Sequence, residues 1–236
     1  MQIIRSGHGL AVWTPTGVLP LAYIIGIGRN YADHATEQGA DIPERPMVFT
    51  KSPASACLHE EAIVIPRVCQ DREQVDFEAE LAVILSNSAR DVPVERALDQ
   101  VLGYACANDV SARWWQKSGS GGQFCRGKSF DTFCPIGPRV VPAADVGDPQ
   151  RLRIVCRVND RVMQDASTGQ MIFSVAALIA ELSRGATLPA GTVILTGTPG
   201  GVGMARDPQV FLKAGDVVEV EIERVGRLRN RVTRES

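Results

Sequence analysis

Two glutamates one residue apart, Glu78 and Glu80, lie in the run Val75-Asp76-Phe77-Glu78-Ala79-Glu80-Leu81-Ala82-Val83-Ile84-Leu85. The run alternates as a strand does. Val75, Phe77, Ala79, Leu81, Val83 and Leu85 point one way, and Asp76, Glu78, Glu80, Ala82 and Ile84 the other. A row of carboxylates therefore leads into a stretch that is apolar on both faces, the pattern of a buried strand. Carboxylates that share a buried site repel one another unless a cation neutralises them. The simplest such cation is a hard divalent metal, which prefers carboxylate oxygens.

Alone, a Glu-x-Glu pair is a weak signal, because most such pairs are solvated. Three companions strengthen it. Asp109, in Ala107-Asn108-Asp109-Val110-Ser111-Ala112-Arg113, ends an otherwise apolar strand. It offers a third ligand and leaves open positions for substrate and water. His34 is followed three residues later by Glu37 on a predicted helix. Residues at that spacing share a face, so the carboxylate would orient and charge-stabilise the imidazole as a base. Lys128, in Arg126-Gly127-Lys128-Ser129-Phe130-Asp131, comes just after the Gly-rich stretch 118–122. A lysine beside a metal stabilises a developing oxyanion.

The elements that must position these groups are mostly strands. Residues 10–13 and 18–21 flank a Thr14-Pro15-Thr16-Gly17 turn and predict a hairpin. Residues 24–28 read as a buried strand, and 31–38 as a short helix closed by Gly39. Helical spacing over 93–102 ends at Gly103, and 104–108 then form a strand that delivers Asp109. Asn159-Asp160 joins two strands as a hairpin turn. Ser174 caps a helix over 175–184 stopped by Gly185. Residues 192–196 form a buried strand, and 217–223 pair with 228–232 across Gly226. Many strands and few helices, without regular βα alternation, predict a β-rich α+β domain rather than a doubly wound sheet.

The 236 residues carry a net charge of -2, which gives no reason to expect nucleic acid or an anionic membrane as partner. No apolar stretch approaches the length of a membrane span, and the start lacks the form of a signal peptide. The six cysteines show no Cys-x-x-Cys pair, so neither a structural zinc nor a disulfide framework is expected. They read as reduced thiols of a cytoplasmic protein. No repeat or low-complexity tract divides the chain.

The ordered motifs Gly28-Arg29-Asn30-Tyr31-Ala32-Asp33-His34, Phe49-Thr50-Lys51, Asp76-Phe77-Glu78-Ala79-Glu80-Leu81, Asn108-Asp109-Val110-Ser111-Ala112-Arg113, Gly127-Lys128-Ser129-Phe130-Asp131 and Leu195-Thr196-Gly197-Thr198-Pro199 resemble the fumarylacetoacetate hydrolase family. The resemblance runs from about Tyr23 to about Val232, leaving 1–22 as a lead-in hairpin and 23–236 as one catalytic domain. It implies a β-roll of mixed sheets, usually a homodimer. It implies Mg²⁺ or Mn²⁺ held by Glu78, Glu80 and Asp109, a water-activating pair of His34 and Glu37 on a lid helix, and Lys128 as third catalytic group. Arg113, Gln116 and Thr198 match positions that line the substrate pocket, and Lys51 matches a further pocket lysine. The chain departs from the family pattern where Ser52 follows Lys51 and where Trp114-Trp115 precede Gln116. The two tryptophans read as packing residues.

The function this implies is metal-dependent hydrolysis of a C–C bond in an acylpyruvate- or fumarylpyruvate-like 2-oxo acid, through an enolate. Decarboxylation of oxaloacetate, or isomerisation or hydration of a catechol-pathway dienoate, would use the same enolate. A non-catalytic metal-stabilised binding module is the reading from another class; a structural metal would need none of His34, Glu37 and Lys128. His8 and His59 read as surface histidines, and Asp76 as a neighbour of the site or a loop residue. Gly26-Ile27-Gly28 lacks the third glycine of a dinucleotide fingerprint, and 198–203 lacks the ending of a phosphate loop.

Overall fold

The computed structural model describes residues 1–32 and 43–236. The predicted helix over 31–38, with His34 and Glu37, lies outside the described residues beyond Ala32.

The N-terminal strands β1 (Gln2–Ser6), β2 (Gly9–Thr14) and β3 (Gly17–Pro20) form a meander, with Thr14 opposite Gly17 at the predicted turn. They are continuous with the main sheet rather than a separate hairpin. β4 (Tyr23–Gly28), β5 (Met47–Lys51), β6 (Ala56–Cys57), β7 (Ile63–Ile65), β8 (Val75–Asp76), β9 (Ala79–Leu85), β10 (Val101–Asn108), β11 (Ser111–Ala112) and β12 (Cys134–Pro142) come next along the chain. A ten-stranded mixed sheet runs β3-β2-β1-β12-β10-β9, then β15 (Thr192–Leu195), β4 and β5, with β6 paired to β12. A five-stranded sheet is built from β13 (Arg153–Val158), β14 (Arg161–Ser167), β16 (Val217–Ile222), β17 (Gly226–Arg234) and β7, in the order β14-β13-β16-β17-β7. The Asn159-Asp160 turn has both residues at positive φ, 50° and 65°, as a two-residue hairpin loop requires.

β9 lies at the centre, between β10 and β15. Its two apolar faces feed two separate cores. Leu81, Val83 and Leu85 join Ile154, Cys156, Val218, Val220 and Ile222 of the five-stranded sheet. Ala82 and Ile84 join Ile3, Leu10, Val12 and Ile24 of the N-terminal side. Each fully buried aliphatic side chain of this kind stabilises the fold by about 1.5–3 kcal/mol. The result is the β-rich α+β roll that the motif order implies.

Two sequence expectations change. The run 75–85 is not one strand: it breaks at Phe77 and Glu78 between β8 and β9. Side chains replace the ladder there, since Asp76 Oδ1 accepts from the Phe77 N–H at 2.9 Å and Asn108 Oδ1 from the Glu78 N–H at 3.0 Å. The predicted helix over 93–102 is two short 3₁₀ turns, Val94–Arg96 and Leu98–Gln100, and the chain enters β10 at Val101. Its helical face has little core to meet. Ala97 is buried, but Val94 and Leu98 are exposed, while Val101 is drawn into register with Leu85.

Four short α-helices lie wholly among the described residues: α1 (Arg113–Gln116), α2 (Phe124–Lys128), α3 (Ala143–Val146) and α4 (Val175–Ser183). Ser174 caps α4 as predicted, its side chain accepting from the Ala177 N–H at 3.2 Å. Among the described residues, no helix is long and apolar enough to cross a membrane. All six cysteines are free, and of them only Cys125 is exposed.

Candidate active site

Register alone brings the three carboxylates together. Ala107 is opposite Glu80, and Asn108 opposite Ala79. Asp109, one step past β10, therefore meets Glu78, one step before β9, and the Asp109 N–H donates to the Glu78 carbonyl at 2.9 Å. Glu78, Glu80 and Asp109 are all buried, and each places one oxygen within 4.8 Å of the others.

Buried cations answer most of that charge. Lys128 Nζ donates to Glu78 Oε2 at 2.7 Å and Asp109 Oδ2 at 2.6 Å. Lys51 Nζ donates to the other Asp109 oxygen at 2.5 Å and to the Val110 carbonyl at 3.2 Å. Arg113 Nη1 donates to Glu78 Oε1 at 2.7 Å and to Gln116 Oε1 at 3.0 Å, and its Nε donates to Asp76 Oδ2 at 2.8 Å. Four carboxylates thus face three cations. Glu80 is the one left over: among the described residues no cationic side chain pairs with it, and it accepts the Gly197 N–H at 2.6 Å. Burial first, then the charges of Asp109 and Glu78, push its carboxyl well above the usual carboxylate range.

That imbalance is the test of whether a metal fits. Hard oxygen donors, a surplus negative charge and close spacing suit a hard divalent cation. Two buried polar atoms, Tyr31 Oη and Asn108 Nδ2, also have no hydrogen-bond partner among the described residues. Burial, and then the charge of Glu80, pushes the Tyr31 phenol up. The residues fit a divalent metal.

Lys128 owes its place to α2. Gly127 lies so close to α1 that a Cβ there would come within 2.4 Å of the Gln116 backbone nitrogen. Burial alone would lower the Lys128 pKa, but the charges of Asp109 and Glu78 outweigh it, so the group is held above its ordinary value and stays an ammonium. The Phe49 ring centroid lies 4.9 Å from Nζ. The pocket above the carboxylates is lined by Arg29, Phe49, Gln116, Phe124, Lys128 and Thr198, with Glu78 at its floor.

Of the residues predicted to touch substrate, Gln116 and Thr198 line this pocket, whereas Arg113 is buried beneath it on Asp76 and Glu78. Thr198 Oγ1 is fixed between the Gln164 amide, 2.7 Å, and the Ala79 carbonyl, 2.9 Å. Lys51 is buried against Asp109. Trp114 and Trp115 pack edge to face at 4.9 Å, capped by the Arg72 and Arg126 guanidinium groups.

Sequence reasoning left one support open between two readings and missed two others. Asp76, expected as a neighbour of the site or a loop residue, is fully buried and also accepts the Gly203 and Met204 N–H groups at 2.8 and 3.0 Å. Gln164 carries no motif. Asn30 lies inside the Gly28–His34 motif, where nothing in the sequence gives it a role. It is buried and holds the exit of β4 with bonds to Thr196 at 2.8 Å and Phe173 at 3.0 and 2.7 Å.

A curled mixed sheet that closes on a buried Glu-x-Glu and Asp cluster defines the class, and residues 23–233 match the profile of the fumarylacetoacetate (FAA) hydrolase C-terminal family. The chain belongs to that family. It is 47% identical over 209 residues to a Xenopus laevis protein named oxaloacetate tautomerase fahd2, mitochondrial, covering 89% of this chain and 65% of that protein. It is 45% identical over 215 residues to the Bacillus subtilis oxaloacetate tautomerase YisK, covering 90% of this chain and 70% of that one. The fold superposes on the Pseudomonas aeruginosa fumarylpyruvate hydrolase, solved with Mn²⁺ and pyruvate, with a TM-score of 0.85 at 30% identity, covering 98% and 99% of the two chains. The chain thus spans less than two thirds of the frog relative's length.

Proposed function

We propose that this chain is a Mg²⁺- or Mn²⁺-dependent enzyme that moves a proton at the carbon beside the 2-oxo group of an oxaloacetate-like diacid, interconverting its keto and enol forms. The observation that carries the reading is Lys128, locked as an ammonium between Glu78 and Asp109 at the wall of the pocket. The names of the frog and Bacillus relatives support the choice of acid.

Glu78, Glu80 and Asp109 would hold the cation, and it would supply Lewis acidity to the oxygens of a 2-oxo acid. Lys128 keeps its proton and so acts as a fixed donor to an oxygen that gains negative charge, not as the base. His34 is the proposed base, with Glu37 as its partner, as the family motif implies. Gln164 fixes Thr198 so that its hydroxyl stays at the pocket wall. Hydrolysis of a fumarylpyruvate-like acid is the second reading, favoured by the near-complete overlap with the Pseudomonas hydrolase. It shares the enolate and adds an attacking water.

The test is a metal-replete assay on oxaloacetate and fumarylpyruvate that follows enol absorbance, CO₂ release and hydrolysis products together. Tautomerisation brings the enol signal to equilibrium without CO₂. Metal-dependent cleavage of fumarylpyruvate alone moves the assignment to the second reading. Absence of any turnover sensitive to chelation, with a large loss of melting temperature on chelation, would instead mean a structural metal.

A further inference from the structure

The buried cations of the carboxylate cluster are already committed. Arg113 is spent on Asp76, Glu78 and Gln116, Lys51 on Asp109, and Lys128 on Glu78 and Asp109. Arg29 is different. It lines the same pocket as Lys128, Gln116 and Thr198, is half-buried, and pairs with no carboxylate among the described residues. Lys117 follows Gln116 directly, is exposed, and likewise has no such partner among them. Burial, then the charges of Arg113 and Arg29, hold the Lys117 ammonium below its ordinary pKa, so all three cations lie close enough to feel one another.

Both backbones are held in sparsely populated conformations. Arg29 has φ of 55°, and Lys117 has φ of -107° with ψ of -92°. Arg29 is fixed from both sides. Gly28 pairs with Met47 at the end of β4, and Asn30 is buried and bonded to Thr196 and Phe173. The rigid backbone fixes where the Arg29 side chain starts, and its planar guanidinium can grip a carboxylate in bidentate fashion.

We propose that Arg29, assisted by Lys117, binds the far carboxylate of the substrate and so selects 2-oxo dicarboxylic acids over 2-oxo monocarboxylic acids. This rests on the reading of the site as one for 2-oxo acids. The head of such an acid addresses the carboxylate cluster and Lys128 at the floor. Its second charge then meets the Arg29 guanidinium on the pocket lining, which pairs with no carboxylate among the described residues. A monocarboxylic acid would leave that guanidinium facing an apolar end and gain nothing from it.

The experiment uses the full chain loaded with Mg²⁺, with Arg29→Gln, Arg29→Lys and Lys117→Gln beside the wild type. Oxalate, which carries only the chelating head, and Mg²⁺ itself are titrated by calorimetry, and KM is measured for oxaloacetate. Arg29→Gln is expected to raise KM by about 10- to 100-fold, the worth of a charge-assisted pair. Oxalate and Mg²⁺ affinities should each move less than about threefold, well short of that pair's worth. Arg29→Lys should recover part of the loss, and Lys117→Gln should show a smaller rise in KM. An unchanged KM in Arg29→Gln, or an equal loss for oxalate and oxaloacetate, overturns the assignment while leaving the site reading intact. Failure of the wild type to bind oxalate in a Mg²⁺-dependent way overturns the site reading and this inference with it.

Discussion

Gly197 donates its backbone N–H to Glu80 Oε2 at 2.6 Å, and among the described residues this is the one hydrogen bond that carboxylate receives. A buried carboxylate with one neutral donor and two like charges beside it is poorly stabilised as an anion. Glu80→Gln keeps the oxygen that accepts from Gly197 and removes the charge. The metal-free variant should therefore melt at or above the wild-type temperature, while its Mg²⁺ affinity falls by about 100-fold or more, roughly the effect of losing one charged ligand. Thermal melts with and without Mg²⁺, together with a metal titration, decide it. A variant that binds Mg²⁺ as the wild type does removes Glu80 from the metal site.

The same carboxylate sets a pH dependence whose sign is fixed. Burial and the Asp109 and Glu78 charges raise its folded-state pKa above the unfolded value of about 4.3. A group raised on folding contributes stability that is fully present below its unfolded pKa and is lost as pH rises through its folded pKa. The metal-free protein should thus lose this contribution on the alkaline side, where Mg²⁺ should stabilise it most. Below the folded pKa, binding must displace a proton, so affinity should fall as pH falls. Calorimetry in two buffers of different ionisation enthalpy reads that proton directly. No proton release at any pH between about 5 and 8 would contradict the raised pKa.

Lys128 is the cation between two carboxylates, and its removal takes one partner from each. Lys128→Met leaves Glu78 with Arg113 and Asp109 with Lys51, but nothing between them. Breaking such a buried pair costs about 3–5 kcal/mol. Denaturant titration should show that loss in the metal-free variant and a partial recovery with Mg²⁺, while turnover is lost at all metal concentrations. Full activity in Lys128→Met would remove it from the chemistry.

Much of this site was legible because a strand writes its geometry in the sequence. The alternation that placed Glu78 and Glu80 on one face, and the apolar run into Asp109, need only the two-residue period and one register. The fold class followed from the same strands. What stayed hidden were contacts between segments distant in sequence. Gln164 reaches Thr198 and Ala79 across the two sheets, and Asn30 reaches Thr196 and Phe173. No local pattern marks an amide that will be buried by tertiary packing. The false helix over 93–102 has the same root. Its spacing was helical, but the demand of β9 for a partner captured Val101 first.

Gly197 joins these observations. Its φ is 95°, and a Cβ there would sit 2.7 Å from Asn30 Cβ and 3.1 Å from the Ile27 carbonyl. Gly197→Ala must therefore strain its own backbone and push Asn30 away. Asn30 holds the exit of β4, from which the segment bearing His34 departs, while the Gly197 N–H holds Glu80. One methyl group should thus disturb both the Glu80 carboxylate and the start of the segment that carries the proposed base. A local backbone strain of this kind costs on the order of 1–3 kcal/mol. The expected result is a folded but less stable protein whose Mg²⁺ affinity and kcat fall together. Gly185→Ala, also at positive φ (70°) but with open space around its Cβ, serves as control. It should lose stability without touching metal affinity. Equal metal affinities in the two variants would show that Gly197 supports the fold alone and not the site.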